Sequence, residues 1–187
     1  MARPAVTTHW TVELRNTLPD DGKRYEVIDG ELFVTPAPSW THQVALIALM
    51  RRIDPYVRAQ SLGHVLIAPA DVELADDTVV EPDLFVVPPV AGRRPVDWAD
   101  VGRMLLVAEI LSPSTARLDH VRKRALYQSH RFPQYWVVDV DSRLFQRWLP
   151  GDDRPEILTE RLVWQPEGAG ESLGIDLEEY FDEVSSR

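Results

Sequence analysis

The chain contains no cysteine among its 187 residues, which excludes disulfides, thiolate nucleophiles and cysteine zinc sites together. Any metal must be held by oxygen or imidazole. No stretch approaches the roughly 20 apolar residues that a membrane span requires, and Met1-Ala-Arg-Pro-Ala-Val-Thr-Thr-His-Trp lacks the apolar core of a secretory signal. The expectation is a cytoplasmic protein with no membrane partner. Positive charge is also scarce: 20 Lys and Arg face 30 Asp and Glu, for a net charge of -10. That balance opposes a life coated on nucleic acid, because phosphate binding is driven by counterion release to Lys and Arg. Neither internal repeats nor low-complexity tracts occur.

What is present is ordinary for a globular protein: 44% apolar residues, 27% charged, and six Trp as bulky core material. The length suits one domain over residues 1–187. Thr7 or Thr8 can cap a helix through Trp10 to about Asn16, ended by Pro19-Asp-Asp-Gly. Arg24-Tyr-Glu-Val-Ile and Glu31-Leu-Phe-Val-Thr flank Asp29-Gly30, a type I′ hairpin signal, and alternation puts Glu26 and Ile28 on one face. Ser39 caps a helix in which Leu46, Leu49, Met50, Ile53 and Val57 recur at helical spacing. Gly63–Pro69 and Asp71–Leu74 read as a strand pair, Thr78–Val87 as a third element and Met104–Leu111 as a fourth, the last two apolar enough for central strands. Ser114 or Thr115 opens a helix through Arg131 that Pro133 stops. Tyr135–Val140 is another buried strand, with Trp136 in the core. Phe145–Leu149 with 157–164 suggests antiparallel edge strands, and 176–183 a short acidic helix. This order predicts an α+β fold: a mixed sheet flanked by helices, with extra antiparallel strands.

Two acids stand apart from the rest. Asp83 interrupts the apolar run from Val79 to Val87, and Glu109 interrupts Met104 to Leu111, so both fall on or at the end of central strands. A carboxylate there is costly to desolvate unless it is paired or ligates a cation. Lys123, on the helix after the Glu109 strand, can point at both acids if that helix packs back across the sheet. Asp119 and Tyr127, four residues to either side, share its face. An exposed Asp119–Lys123 ion pair is the alternative. Arg117, His120, Arg122, Lys123, Arg124, His130 and Arg131 make a local basic face, with Asp119 the one acid in the stretch.

Six fragments, in order, then resemble a known family. Tyr25-Glu-Val-Ile-Asp-Gly-Glu-Leu, Pro36-Ala-Pro-Ser with His42-Gln43, Glu81-Pro-Asp-Leu, Val107-Ala-Glu-Ile-Leu-Ser-Pro-Ser-Thr, Lys123-Arg-Ala-Leu-Tyr and Pro133-Gln-Tyr-Trp-Val-Val-Asp are similar to the Uma-type restriction-endonuclease family of the PD-(D/E)XK superfamily. The match runs from about Tyr25 to Asp139. The resemblance implies a restriction-endonuclease-like fold in which Pro82-Asp83 is the PD and Glu109 the second acid. Leu111 stands where the superfamily usually has Lys, and Lys123 is the replacement this implies. It further implies metal-assisted phosphodiester hydrolysis of DNA. Asp83, Glu109 and the Ile110 carbonyl would hold one Mg²⁺ or Mn²⁺, and Lys123 would orient the attacking water or offset phosphoryl charge.

Glu26, Glu31, His42 and Asp71 are the residues that could complete so sparse a site; Tyr127 and Tyr135 either contact phosphate or pack. His42 is equally readable as a hydrogen-bonded core residue, and Asp71 as a cap for backbone amides in a turn or edge strand. Arg117, Arg122 and Arg124 are the candidate nucleic-acid contacts, the latter two turned about 100° from Lys123 on an α-helix. A pair of such domains would cut both strands of a duplex, so a homodimer is expected. Two other functions remain open: a catalytically silent nuclease fold serving as a binding or assembly module, and a hydrolase of another phosphoester such as a nucleotide.

Overall fold

A computed structural model describes residues 8–90 and 103–186. Strands β1 (Arg24–Ile28) and β2 (Glu31–Thr35) pair in the expected hairpin register, Ile28 opposite Glu31. Asp29 and Gly30 supply the turn with φ of 51° and 76°, the two positive angles a type I′ turn needs. The first helix is shorter and later than the sequence suggests. It is one turn, α1 (Val12–Arg15), capped by Thr11, whose hydroxyl accepts from the Leu14 amide. Trp10 donates instead to the Gly30 carbonyl, which ties the preceding stretch to the hairpin; Thr7 lies outside the described residues. Helix α2 (Trp40–Ala59) begins at Ser39 as expected and buries Leu46, Leu49, Ile53 and Val57.

The next strands correct the predicted pairing. β3 (His64–Ile67) and β4 (Val72–Ala75) do not pair with each other: β3 pairs with β6 (Leu84–Val87), and β4 with β5 (Thr78–Val80). The run Thr78–Val87 is thus two strands, broken at Glu81-Pro82-Asp83. Pro82 has no N–H with which to continue a ladder. The chain changes sheet there and again at 68–71, and the two crossings are joined where the Ala68 amide donates to the Asp83 carbonyl at 3.1 Å.

Two larger sheets result. The first runs β2-β1-β5-β4; the second runs β10-β9-β8-β7-β6-β3, with β7 (Leu106–Ile110), β8 (Tyr135–Asp139), β9 (Leu144–Trp148) and β10 (Glu156–Leu158). Only β7 and β8 are parallel within it, and the chain between them crosses through a helix. That helix is not uniform. A π-helical segment (Leu118–Lys123) leads into α3 (Arg124–Ser129), which ends two residues earlier than predicted as Arg131 turns out with φ of 52°. Residues 157–164 are likewise not one strand, because β10 edges the larger sheet while β11 (Arg161–Trp164) pairs with β12 (Leu173–Asp176) in a separate ribbon. Helix α4 (Leu177–Ser185) closes the chain.

Strand alternation splits the core by face. Leu84, Val86, Leu106, Ala108, Ile110, Trp136 and Val138 pack with α2 and α4. Phe85, Val107, Tyr135 and Val137 face the other way, toward Ile28 and Val80 of the first sheet and Leu118, Leu126 and Tyr127 of the crossover. The acids of interest fall on this second face. Among the described residues no helix is long and apolar enough to cross a membrane.

Candidate functional site

The sheet change at Pro82 creates the site. β5 runs beside β1 and β6 beside β7, so the turn between them sets Glu81 against Glu26 of β1 and Asp83 against Glu109 and Ile110 of β7. Glu26 Oε1 accepts the Glu81 amide at 2.8 Å, and Asp83 Oδ2 accepts the Ile110 amide at 2.8 Å. Side chains from both sheets thereby take up amides that the break frees.

Lys123 reaches in from the π-helical segment. Its Nζ lies 2.8 Å from Glu109 Oε1, 2.9 Å from Glu26 Oε1 and 3.8 Å from Asp119 Oδ1, and its side chain is 1% exposed. The widened turn buries Asp119 and Lys123 together. An exposed Asp119–Lys123 pair is therefore excluded: the pair is buried inside a carboxylate cluster. Tyr127, from the same face, donates its hydroxyl to Glu109 Oε1 at 3.1 Å, and Tyr135 donates to the Asp119 carbonyl at 3.1 Å.

Asp83 faces different partners. Arg24 Nη1 is 3.0 Å from Oδ1, and His42 Nε2 lies 3.3 Å from the same oxygen without hydrogen-bond geometry. Arg24 also approaches Glu81 Oε2 at 3.7 Å, while Arg15 spans Glu81 at 2.8 Å and Asp71 at 2.7 Å. Asp71 is engaged by the guanidinium of Arg15 of α1, which links it to Glu81. Glu31 sits apart, exposed and paired with Arg122 at 2.9 Å.

Five acids, Glu26, Glu81, Asp83, Glu109 and Asp119, are buried here. They face Lys123, Arg24 and Arg15, the last shared with Asp71, so the centre is short of positive charge. Burial raises the Glu109 pKa well above the carboxylate range, Lys123 opposing and the neighbouring acids adding to it. Burial likewise pushes Asp119 up to about 6, with Lys123 opposing. Asp83 behaves oppositely: burial disfavours its charge, but His42, Arg24 and Lys123 outweigh this and hold it below the usual range. Desolvation works against the Lys123 ammonium, yet Glu109, Glu26 and Asp119 together keep it firmly protonated.

The donor set suits a hard divalent cation, being oxygen-rich and short of positive charge. Glu26 Oε2 and Asp119 Oδ1 are moreover buried without hydrogen-bond partners. Among the described residues no group of three His, Asp or Glu is already arranged as a coordination shell. Two clefts flank the cluster. One, of about 420 Å³, is lined by His42, Ile110, Leu111, Ser112 and Asp139; the other, of about 590 Å³, by Arg15, Lys23, Tyr25, Asp71 and Glu81.

The basic helix is less free than its sequence suggests. Arg122 pairs with Glu31 and lies 5.7 Å from the Phe33 ring centroid, and Arg124 stacks 4.9 Å from that of Trp148. Arg117 is exposed. Sequence reasoning overlooked Arg24, Glu81 and Arg15. A signal for Arg24 was present, since it stands two residues before Glu26 in β1 and so shares its face.

The fold is shared with a solved structure. A crystal structure titled as a "putative nuclease belonging to DUF820" from Anabaena variabilis superposes with a TM-score of 0.77, covering 94% of this chain and 99% of that one at 19% identity. The chain belongs to the Uma2 family, described as "Putative restriction endonuclease", whose family model matches residues 12–177. No curated protein matches.

Proposed function

We propose that the protein is a metal-dependent endonuclease acting on DNA, with Asp83, Glu109 and Lys123 as its centre. The carrying observation is the convergence of Asp83, at the break between two sheets, with Glu109 of β7 and a buried ammonium, in a chain of this family. Asp83 and Glu109, with the Ile110 carbonyl, would hold Mg²⁺ or Mn²⁺. When bound, the cation supplies Lewis-acid charge to a phosphoryl oxygen and acidifies a water. Lys123, held beside Glu109, would orient the attacking water or offset the negative charge that grows on the phosphoryl oxygens. The Tyr127 hydroxyl fixes the Glu109 carboxylate, and His42 separates Asp83 from the 420 Å³ cleft through which a phosphate could approach.

A second reading, a silent nuclease fold used for binding or assembly, draws on one observation. Asp83, Glu109 and Lys123 are nearly sealed from solvent and already engaged with protein groups. Incubating the protein with supercoiled plasmid and with bis(p-nitrophenyl) phosphate, in Mn²⁺ and then in EDTA, separates the possibilities. Plasmid nicking that EDTA abolishes is expected. Turnover of the small diester alone would favour a phosphoesterase of other substrates, and no turnover of either would favour the silent fold.

A further inference from the structure

The Asp83 carboxylate is capped by a cation of the chain itself. Arg24 Nη1 lies 3.0 Å from Asp83 Oδ1, and Arg24 is the more outward partner, 17% exposed against 3% for Asp83. A guanidinium and a divalent cation cannot share that oxygen, because two positive charges a few ångströms apart in a poorly solvated site repel strongly. Arg24 also has somewhere to go, since Glu81 Oε2 is 3.7 Å from its Nε. Lys123 does not play this part: its carboxylate contacts are Glu109, Glu26 and Asp119.

We infer that Arg24 is a positioning residue that occupies Asp83 Oδ1 in the metal-free protein and yields it to a divalent cation by shifting toward Glu81. Metal loading is then a cation exchange, and Arg24 sets its affinity. The inference rests on the endonuclease reading above.

Calorimetric titration of Mn²⁺ into the intact protein tests it across wild type, Arg24→Met, Arg24→Lys and Asp83→Asn. Arg24→Met should bind Mn²⁺ about tenfold tighter or more, since it removes the competitor from a buried charge. Arg24→Lys, which keeps the charge, should stay near the wild type, and Asp83→Asn should not bind. Binding by Arg24→Met no tighter than wild type, with Asp83→Asn silent, overturns the exchange but leaves the metal centre standing. A Lys variant as tight as the Met variant also overturns it, because charge would not be what holds the metal off. Wild-type binding by Asp83→Asn, or silence in all four proteins, overturns both readings. Should Arg24→Met fail to fold, the wild type decides: Mg²⁺ must shift the assigned Arg24 Nε–H resonance, and an unmoved signal at saturation contradicts the exchange.

Discussion

Lys123 Nζ lies 2.8 Å from Glu109 Oε1, although the two residues belong to successive elements and both are buried. Removing one partner strands charge in the interior, which typically costs about 3–5 kcal/mol. Lys123→Met should lower unfolding free energy by that order in urea titrations. Loss of under about 1 kcal/mol, the range of exposed pairs, would contradict the buried geometry.

Tyr127 tests the same carboxylate from another side. Its hydroxyl donates to Glu109 Oε1. A buried hydrogen bond typically contributes about 0.5–1.5 kcal/mol, so Tyr127→Phe should destabilise by that amount while leaving the fold unchanged. Chemical denaturation with a circular dichroism check measures it.

Asp119 gives a pH signature. Its folded pKa, about 6, stands above the ordinary 3.8, so its contribution to stability is present below pH 4 and lost as pH rises through 6. Asp119→Asn removes that loss. Relative to wild type, the variant should gain roughly 2–3 kcal/mol of unfolding free energy between pH 4 and pH 7. A difference constant across that window would refute the buried, charge-crowded placement.

Arg117 and Arg124 separate two uses of the basic helix. Arg117 is exposed, so Arg117→Ala should weaken DNA binding and reduce the slope of log affinity against log salt by about one. Arg124 is stacked on Trp148, and Arg124→Ala should instead cost about 0.5–2 kcal/mol of stability. Fluorescence anisotropy at several salt concentrations, beside urea melts, distinguishes them.

The burial of the candidate acids was legible because a charge that interrupts an apolar run is visible in a sequence. Asp83 and Glu109 each interrupt an apolar run, and Lys123 follows at a distance that lets its helix fold back. Arg24 and Glu81 were not singled out, since their importance depends on β1 lying against the break between β5 and β6. The β3–β4 misreading has the same root. Gly63–Leu74 looks like a hairpin locally, but Pro69 and Pro82 mark crossings between sheets, and only long-range pairing reveals which strands they join. The π-helical segment was hidden for a different reason: its residues differ in no obvious way from those of an α-helix.

The most direct test of the central claim is the Mn²⁺-dependent nicking rate of supercoiled plasmid by wild type and by Glu109→Gln, each confirmed folded by circular dichroism. Glu109→Gln keeps the side chain's size but removes the carboxyl oxygen that would ligate the cation. Nicking by the wild type that falls at least about a hundredfold in the variant is the predicted result. Equal rates, or no nicking by a folded wild-type protein, would contradict the account.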